Sequence, residues 1–242
     1  MRQFIRNENR KPDALRQWEI TSGVLEHAEG SALIVAGKTK VLCAASVEDT
    51  VPPFLKQSGK GWVTAEYSML PRATHTRSPR ERGGRIGGRT MEIQRVIGRS
   101  LRSVTDLEAF GQRTVTVDCD VIQADGGTRV AAVSAAWVAL YMAFRTLMSG
   151  GIIASNPLWD SVAAVSVGMV NNVMLLDLAY DEDSAADVDM NVVMTGSGRL
   201  VEVQATAEHT PFSMARMNSL LQLARKGVEV ISRIQKDACK GL

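Results

Sequence analysis

The sequence predicts an α+β fold made of two halves of similar design. Short alternating segments, readable as strands, lead into a long helix-forming segment, and that order occurs twice. The longest apolar run, Val130 to Phe144, is bracketed by Arg129 and Arg145, too short for a membrane span and suited to a buried helix. Turn-forming residues punctuate the rest, so most strands are joined by tight turns.

Taken in order, Gln17 to Val47 alternates and carries Gly23, Gly30 and Gly37, read as turns between short strands. Val51 to Gly88, with its prolines and glycines, reads as largely loop. From about Arg89 to Arg102 the period becomes helical. Ile93, Val96, Ile97 and Leu101 share one face; Arg95, Arg99 and Arg102 share the opposite one. Thr114 to Gln123 alternates Val115, Val117, Cys119 and Val121 against Thr116, Asp118 and Asp120, a half-buried strand.

The second half begins after the apolar helix. "SVAAVSVGMVNNVMLLDLAY" reads as a hairpin turning on Asn171-Asn172, and "MNVVMTGSGRLVEVQATAE" as another turning near Gly196 to Gly198. Thr210-Pro211 is read as the opening of a last helix, with Pro at its first position. Met214, Met217, Leu220, Leu221, Ala224, Val228 and Ile231 give that helix its apolar face. The expectation is one domain, residues 1–242, with pseudo-repeat halves of about 1–150 and 157–242.

Composition is ordinary for a globular chain: 45% apolar, 22% charged, net charge +2. Cys43, Cys119 and Cys239 have no metal-site spacing, and an odd count argues against a disulfide framework. The start, "MRQFIRNENRK", lacks a signal-peptide core, so a cytoplasmic protein is expected. His27, His75 and His209 are too scattered for zinc. The phosphate-binding pattern of a Gly-rich loop followed by Gly-Lys-Ser or Gly-Lys-Thr is missing.

Charge is unevenly placed. Between Arg72 and Arg102 stand nine arginines against two glutamates, with no aspartate or lysine. Arg89 projects to the apolar side of its helix and should point inward, where it needs an anionic partner. Arg72, Arg77, Arg80, Arg82 and Arg85 lie in the preceding loop, placed to track a polyanion. An acidic cluster, Asp177, Asp181, Glu182, Asp183, Asp187 and Asp189, stands opposite. Asp181, Glu182 and Asp187 read as a solvated loop, whereas Asp189 enters an apolar strand and is a candidate for proton transfer or metal binding.

One placement asks for a ligand. In "DCDVIQADGGTRV" a strand turns on two glycines into a helix whose first turn holds Arg129. A cation at a helix N-terminus is disfavoured by about 0.3–1 kcal/mol. The free N–H groups of Gly126 to Thr128 can form an anion nest, and an anion between them and Arg129 is one of several ways to resolve the conflict.

"GRTMEIQRVIGRSLR", "DCDVIQADGGTR", "DEDSAADVDMNVVMTGSGRLVEVQATAE" and "PFS", in this order, resemble the ribonuclease PH family, as do "AEGSALIVAGKTKVLCAASVED" and "GWVTAEYSMLPRAT". The resemblance covers nearly the whole chain. It implies two βαβ-type halves about a pseudo-twofold axis, and a phosphorolytic exoribonuclease that removes 3′-terminal nucleotides of transfer-RNA precursors as nucleoside diphosphates. It implies inorganic phosphate as co-substrate, RNA as partner, and a homo-hexameric ring, a trimer of dimers. By motif, the phosphate site falls on Arg89, Gly127, Thr128 and Arg129. The acid/base and metal candidates fall on Asp183 and Asp189, and the RNA-binding loop on Arg72, Arg77 and Arg80. Val130 replaces the family's usual Thr, and Asn9 stands where an acid–glycine pair is common.

On this reading Asp189 is the general acid, and Asp183 orients it or shares Mg²⁺. Two rivals stand beside it. A metal-dependent hydrolytic nuclease leaves Arg89 and Arg129 unexplained. A catalytically inactive RNA-binding ring subunit predicts losses in the phosphate site, and the motif residues are all present.

Overall fold

The computed structural model describes residues 6, 9–81, 86–208 and 210–240. Arg82, Arg85 and His209 lie outside them. The first half is a five-stranded sheet of β1 (Trp18–Ser22), β2 (Gly30–Ala36), β3 (Thr39–Glu48), β4 (Trp62–Met69) and β5 (Thr114–Gln123), ordered β1-β2-β3-β5-β4. Only β4 and β5 pair in parallel, joined across α1 (Gly88–Arg102) as a βαβ unit. The second half is an antiparallel sheet of β6 (Val162–Val170), β7 (Val173–Leu176), β8 (Val188–Thr195) and β9 (Leu200–Ala207), ordered β7-β6-β8-β9.

Helix α2 (Thr128–Ser149) lies against both sheets, and nearly every residue from Thr128 to Leu140 is buried. A helix that is apolar all round has no solvent face, so it becomes the centre of the core. Its length and composition would suit a membrane span, yet 78% of its most apolar window is buried inside the protein. Its alanines let the sheet approach closely. A Cβ on Gly30 would lie 2.1 Å from the Ala139 carbonyl oxygen, so Gly30 serves close packing rather than a turn. Gly23 and Gly37 do turn the chain, at φ 68° and 58°. The closing helix α4 (Met214–Ala238) buries Leu220, Ala224, Val228 and Ile231, while Met214 stays exposed.

Asn171 and Asn172 form a two-residue hairpin turn with φ 50° and 63°, the left-handed pair that a tight hairpin needs. Two details differ from expectation. Among the described residues, the stretch 51–88 is largely loop as expected but also holds β4, which buries Val63, Ala65 and Tyr67 and sends Thr64, Glu66 and Ser68 outward. Flanking prolines and glycines hide that short alternation. Pro211 does not open the last helix; Ser213 caps it, its hydroxyl accepting from the Arg216 amide at 3.3 Å.

Because Gly30 touches the α2 backbone itself, Gly30→Ala should cost about 3 kcal/mol by overpacking, whereas Gly23→Ala, strained but in open space, should cost about 1 kcal/mol. Urea unfolding of the two variants measures the difference, and equal losses would refute the packing role.

Candidate active site

Between β5 and α2 the chain turns through two left-handed glycines, Gly126 (φ 76°) and Gly127 (φ 66°). Gly127 is the N-cap and provides no side-chain cap, so the first amides of α2 remain available to an anion. A Cβ on Gly126 would come within 2.7 Å of the Leu178 carbonyl oxygen. Glycine there is required by φ and by space together.

This turn forms one wall of a cavity of about 60 Å³ lined by Arg89, Gly127, Thr128, Arg129, Ser166, Asp183, Asp189 and Asn191. Every phosphate-site and acid/base residue picked out by motif lies on it. Arg89 comes from the start of α1, Ser166 from β6, Asp183 from the short helix α3 (Tyr180–Asp183), and Asp189 and Asn191 from one face of β8. Both halves of the chain therefore contribute. Thr128 Oγ1 accepts from the Tyr67 hydroxyl at 2.9 Å, which leaves its own O–H free to donate.

Arg89 lines the cavity but is exposed rather than buried, since the first turn of α1 precedes the covered part of its apolar stripe. Among the described residues it has no ion-pair partner within 4 Å. Arg129 is engaged already. Its Nη1 lies 3.3 Å from Glu92 Oε1 and donates to Gln204 Oε1, while Gln204 Nε2 donates to the same Glu92 oxygen. Glu92 follows Arg89 by three residues, one helical turn, so it reaches the same side of α1. The sequence reading gave Glu92 and Gln204 no role, and it also missed Ser166 and Asn191. For Asn191 the signal was present, since strand alternation puts it beside Asp189.

The aspartates hold protons more tightly than usual. Burial raises Asp189, the charge of Asp183 adds to this, and Arg129 offsets part, leaving it at about 6. Asp189 Oδ1 is buried with no hydrogen-bond partner among the described residues, while Oδ2 accepts from Asn191 Nδ2 at 3.3 Å. Partial burial also raises Asp183, against the pull of Arg89 and Arg129; this residue sits at the open rim. No cluster of three or more His, Cys, Asp or Glu residues able to hold a metal occurs among the described residues. Two carboxylates, one with an orphan oxygen, suit Mg²⁺, which commonly takes one or two carboxylates and completes its shell with water and phosphate oxygens.

Other expectations divide. Arg72, Arg77 and Arg80 are exposed and outside the cavity, and Arg72 Nη1 braces its own loop by donating to the His75 carbonyl at 2.7 Å. Glu182 is not solvated: it is 3% exposed and accepts from Arg6 Nε at 2.7 Å and Arg10 Nη2 at 2.9 Å. Adjacent carboxylates on a helical turn face different ways, so Asp181 stays outside while Glu182 turns in. The arginine face of α1 is largely satisfied within the chain. Arg99 pairs with Glu202 at 2.9 Å, and Arg102 lies 4.3 Å from the Trp62 ring centroid while donating to the Val63 carbonyl.

The sequence matches the models of the 3′ exoribonuclease family, domain 1 over residues 14–145 and domain 2 over 160–227. It is 59% identical to the ribonuclease PH of Solibacter usitatus over 238 residues, covering 98% of this chain and all of that one. It is 56% identical to the ribonuclease PH of Bacillus pumilus, covering 96% and 97%. The chain belongs to the ribonuclease PH family. It is a phosphorolytic 3′–5′ exoribonuclease, a nucleotidyltransferase acting on RNA with inorganic phosphate as co-substrate. Solved structures share the fold: rice Rrp46 at TM-score 0.76 and 22% identity, covering 96% of this chain and 98% of that one. An Archaeoglobus fulgidus exosome with RNA bound to the active site matches at TM-score 0.80 and 23% identity, covering 97% and 92%. The inactive-subunit alternative is not favoured, because the exosome relatives are the distant ones.

Asp189 titrates at about 6 in the folded chain, against 3.8 for the ordinary group. A raised acid stabilises the fold below its unfolded pKa, and that contribution is lost as pH rises through the folded value. Asp189→Asn never ionises. Without phosphate it should be more stable than the parent at pH 8 by roughly 1–3 kcal/mol, a few degrees in Tm. The gain should vanish below pH 4, and calorimetry showing the same difference at both pH values would contradict it.

Proposed function

We propose that phosphorolysis runs in the cavity between the start of α2, Arg89 and the two aspartates, and that its substrates are the 3′ ends of transfer-RNA precursors. Phosphate lies against the amides of Gly127 and Thr128, with Arg89, Arg129 and the Thr128 hydroxyl completing its contacts. A phosphate oxygen attacks the phosphorus joining the last two nucleotides. The bond from that phosphorus to the penultimate 3′-oxygen breaks, and the last nucleotide leaves as a nucleoside diphosphate. Asp189 gives a proton to the departing oxygen and recovers one from the hydrogen phosphate that entered, so the proton count closes.

The observation that carries this reading is the meeting of an uncapped glycine-led helix start, two arginines and an acid titrating at about 6 in one small cavity. A general acid works best with a pKa near the operating pH, which supports Asp189 in that role. Asp183, and Asp189 when ionised, are the residues that would hold Mg²⁺, whose chemistry there is to neutralise charge on the transferring phosphoryl group. Arg72, Arg77 and Arg80 track the RNA backbone upstream of the cleaved end.

The two halves, about 1–150 and 157–242, act as one domain, supported by a shared apolar core reaching from β1 to α4. The chain assembles as a homo-hexamer, a trimer of dimers, and works in the cytoplasm. The family resemblance supports both, and the likeness to subunits of an archaeal exosome core fits an assembled state. Three unbonded cysteines fit a reducing compartment, which cell fractionation checks.

Nucleoside diphosphate should form only when phosphate is added. Arg129→Ala and Arg89→Ala should each lower that rate by about 100-fold or more in folded protein, because each removes a charge-assisted contact to an anion. Neutralising Arg72, Arg77 and Arg80 should instead raise KM for RNA and flatten its salt dependence. Nucleoside monophosphate as product, or full phosphate-dependent turnover in an Arg129 or Arg89 variant, would sink the reading. Light scattering at low micromolar concentration should give the mass of six chains; a stable dimer would remove the ring.

A further inference from the structure

Behind the phosphate-binding turn lies a charge pair that the reaction never touches. Arg16 precedes β1 and Asp177 follows β7, and they are sealed from solvent at 6% and 0% exposure. Asp177 accepts from the Arg16 amide at 2.8 Å, Arg16 Nη2 at 2.7 Å and Trp18 Nε1 at 2.8 Å. Burial pushes its carboxyl up, but the Arg16 charge and these hydrogen bonds outweigh it and hold it below the ordinary range. Its backbone is left-handed, φ 57°, a conformation that costs a residue with a side chain about 1–3 kcal/mol and persists only where the surroundings fix it.

The other branch of Arg16 grips the turn. Nη1 donates to the Asp125 carbonyl at 2.6 Å, and the guanidinium reaches the Gly126 carbonyl at 3.5 Å. Thr39 Oγ1 donates to the Gly126 carbonyl at 2.7 Å and accepts from the Asp125 amide at 2.9 Å. In a planar trans peptide the carbonyl of one residue and the N–H of the next point in opposite directions. Holding the carbonyls of Asp125 and Gly126 at the back therefore turns the N–H groups of Gly126 and Gly127 to the front, toward the cavity.

Asp177 ties the same pair to the acidic side. Its amide donates to the Ser166 carbonyl at 2.7 Å, and the Leu178 amide donates to Ser166 Oγ at 3.0 Å, on a residue that lines the cavity. Gly126 packs against the Leu178–Tyr180 backbone, whose Ala179 carbonyl accepts from the Asp183 amide at 2.9 Å. Arg6 and Arg10 donate to the Asp177 carbonyl and to Glu182. Loop and acid-bearing segment are thus anchored to one buried point.

We propose that the Arg16–Asp177 pair is a positioning device for phosphate: it aims the Gly126 and Gly127 amides and sets their spacing from Asp183 without touching substrate. This rests on the phosphate-site reading above. A merely structural pair would affect stability and the fraction of active protein, whereas a positioning pair also changes the affinity for phosphate.

Three variants separate these roles. Arg16→Lys keeps a charge beside Asp177 but cannot span both carbonyls; Asp177→Asn keeps size but releases Arg16; Thr39→Val removes the second support with little change of shape. KM for phosphate should rise about tenfold or more in the first two and about threefold in Thr39→Val, from the loss of charge-assisted and neutral hydrogen bonds respectively. KM for RNA should stay within about twofold, since no backbone-tracking arginine is altered. The rise in Tm on adding inorganic phosphate should shrink in the same order, a readout independent of turnover. Should Asp177→Asn fail to fold, Arg16→Lys and Thr39→Val still decide. Folded variants with lowered Tm but phosphate KM and phosphate-induced shift unchanged would overturn the proposal. Arg129→Ala measured alongside distinguishes the two failures: if it loses phosphate dependence while Arg16→Lys keeps it, only the positioning role falls, and if it too keeps it, the phosphate site itself is misplaced.

Discussion

The start of α2 forgoes a side-chain cap, and the site is arranged around that omission. A Ser, Thr, Asp or Asn cap is worth about 0.5–2 kcal/mol to a helix. Here Gly127 stands in its place, so the amides that a cap would have satisfied have no side-chain partner, and the turn that leads into them lines the cavity. Burial of α2 on nearly all sides is what makes this tolerable, because the helix is held by core packing rather than by its end. The same burial fixes the direction of its axis, so the partial positive charge at its N-terminus has one place to act.

From that constraint the division of labour between the halves follows. The first half carries the groups proposed to hold phosphate: the glycine turn, Thr128, Arg129 and, from α1, Arg89. The second half carries the proton-holding apparatus: Asp183 on α3 and Asp189 on β8, with Asn191 beside it. Neither half makes the cavity alone. Arg129 joins them, since Glu92 from α1 and Gln204 from β9 hold one edge of its guanidinium. The planar fork leaves other donors available to the cavity, which a lysine held in the same way would not provide.

Features determined by neighbouring residues were legible in the sequence. Alternation marked β5, the Asn171-Asn172 pair marked its hairpin, and the two glycines marked the turn into α2, because each depends on a few consecutive residues. The buried charge pairs were not legible. Arg6 and Glu182 are 176 residues apart and Arg16 and Asp177 161, and no local pattern announces which arginine will meet which acid. Charge counting misled where charges were paired inside the chain. Glu182 was read as solvated, yet it is buried against Arg6. The strand β4 was lost for a different reason: its alternation is short, and the punctuation around it resembles a loop.

The electrostatics also bear on which nucleophile such a site accepts. Activating water needs a base that readily takes a proton, and a metal-dependent hydrolase would keep its carboxylates ionised around the ion. Here the more buried aspartate is biased toward keeping its proton, through burial and the charge of its neighbour Asp183. Its orphan oxygen suits a proton as well as a metal. Two guanidinium groups and a run of free amides, meanwhile, select a nucleophile that is itself an anion. A proton donor on one side and an anion cradle on the other favour the attack of phosphate over that of water, and make departure of a protonated 3′-oxygen the matching step.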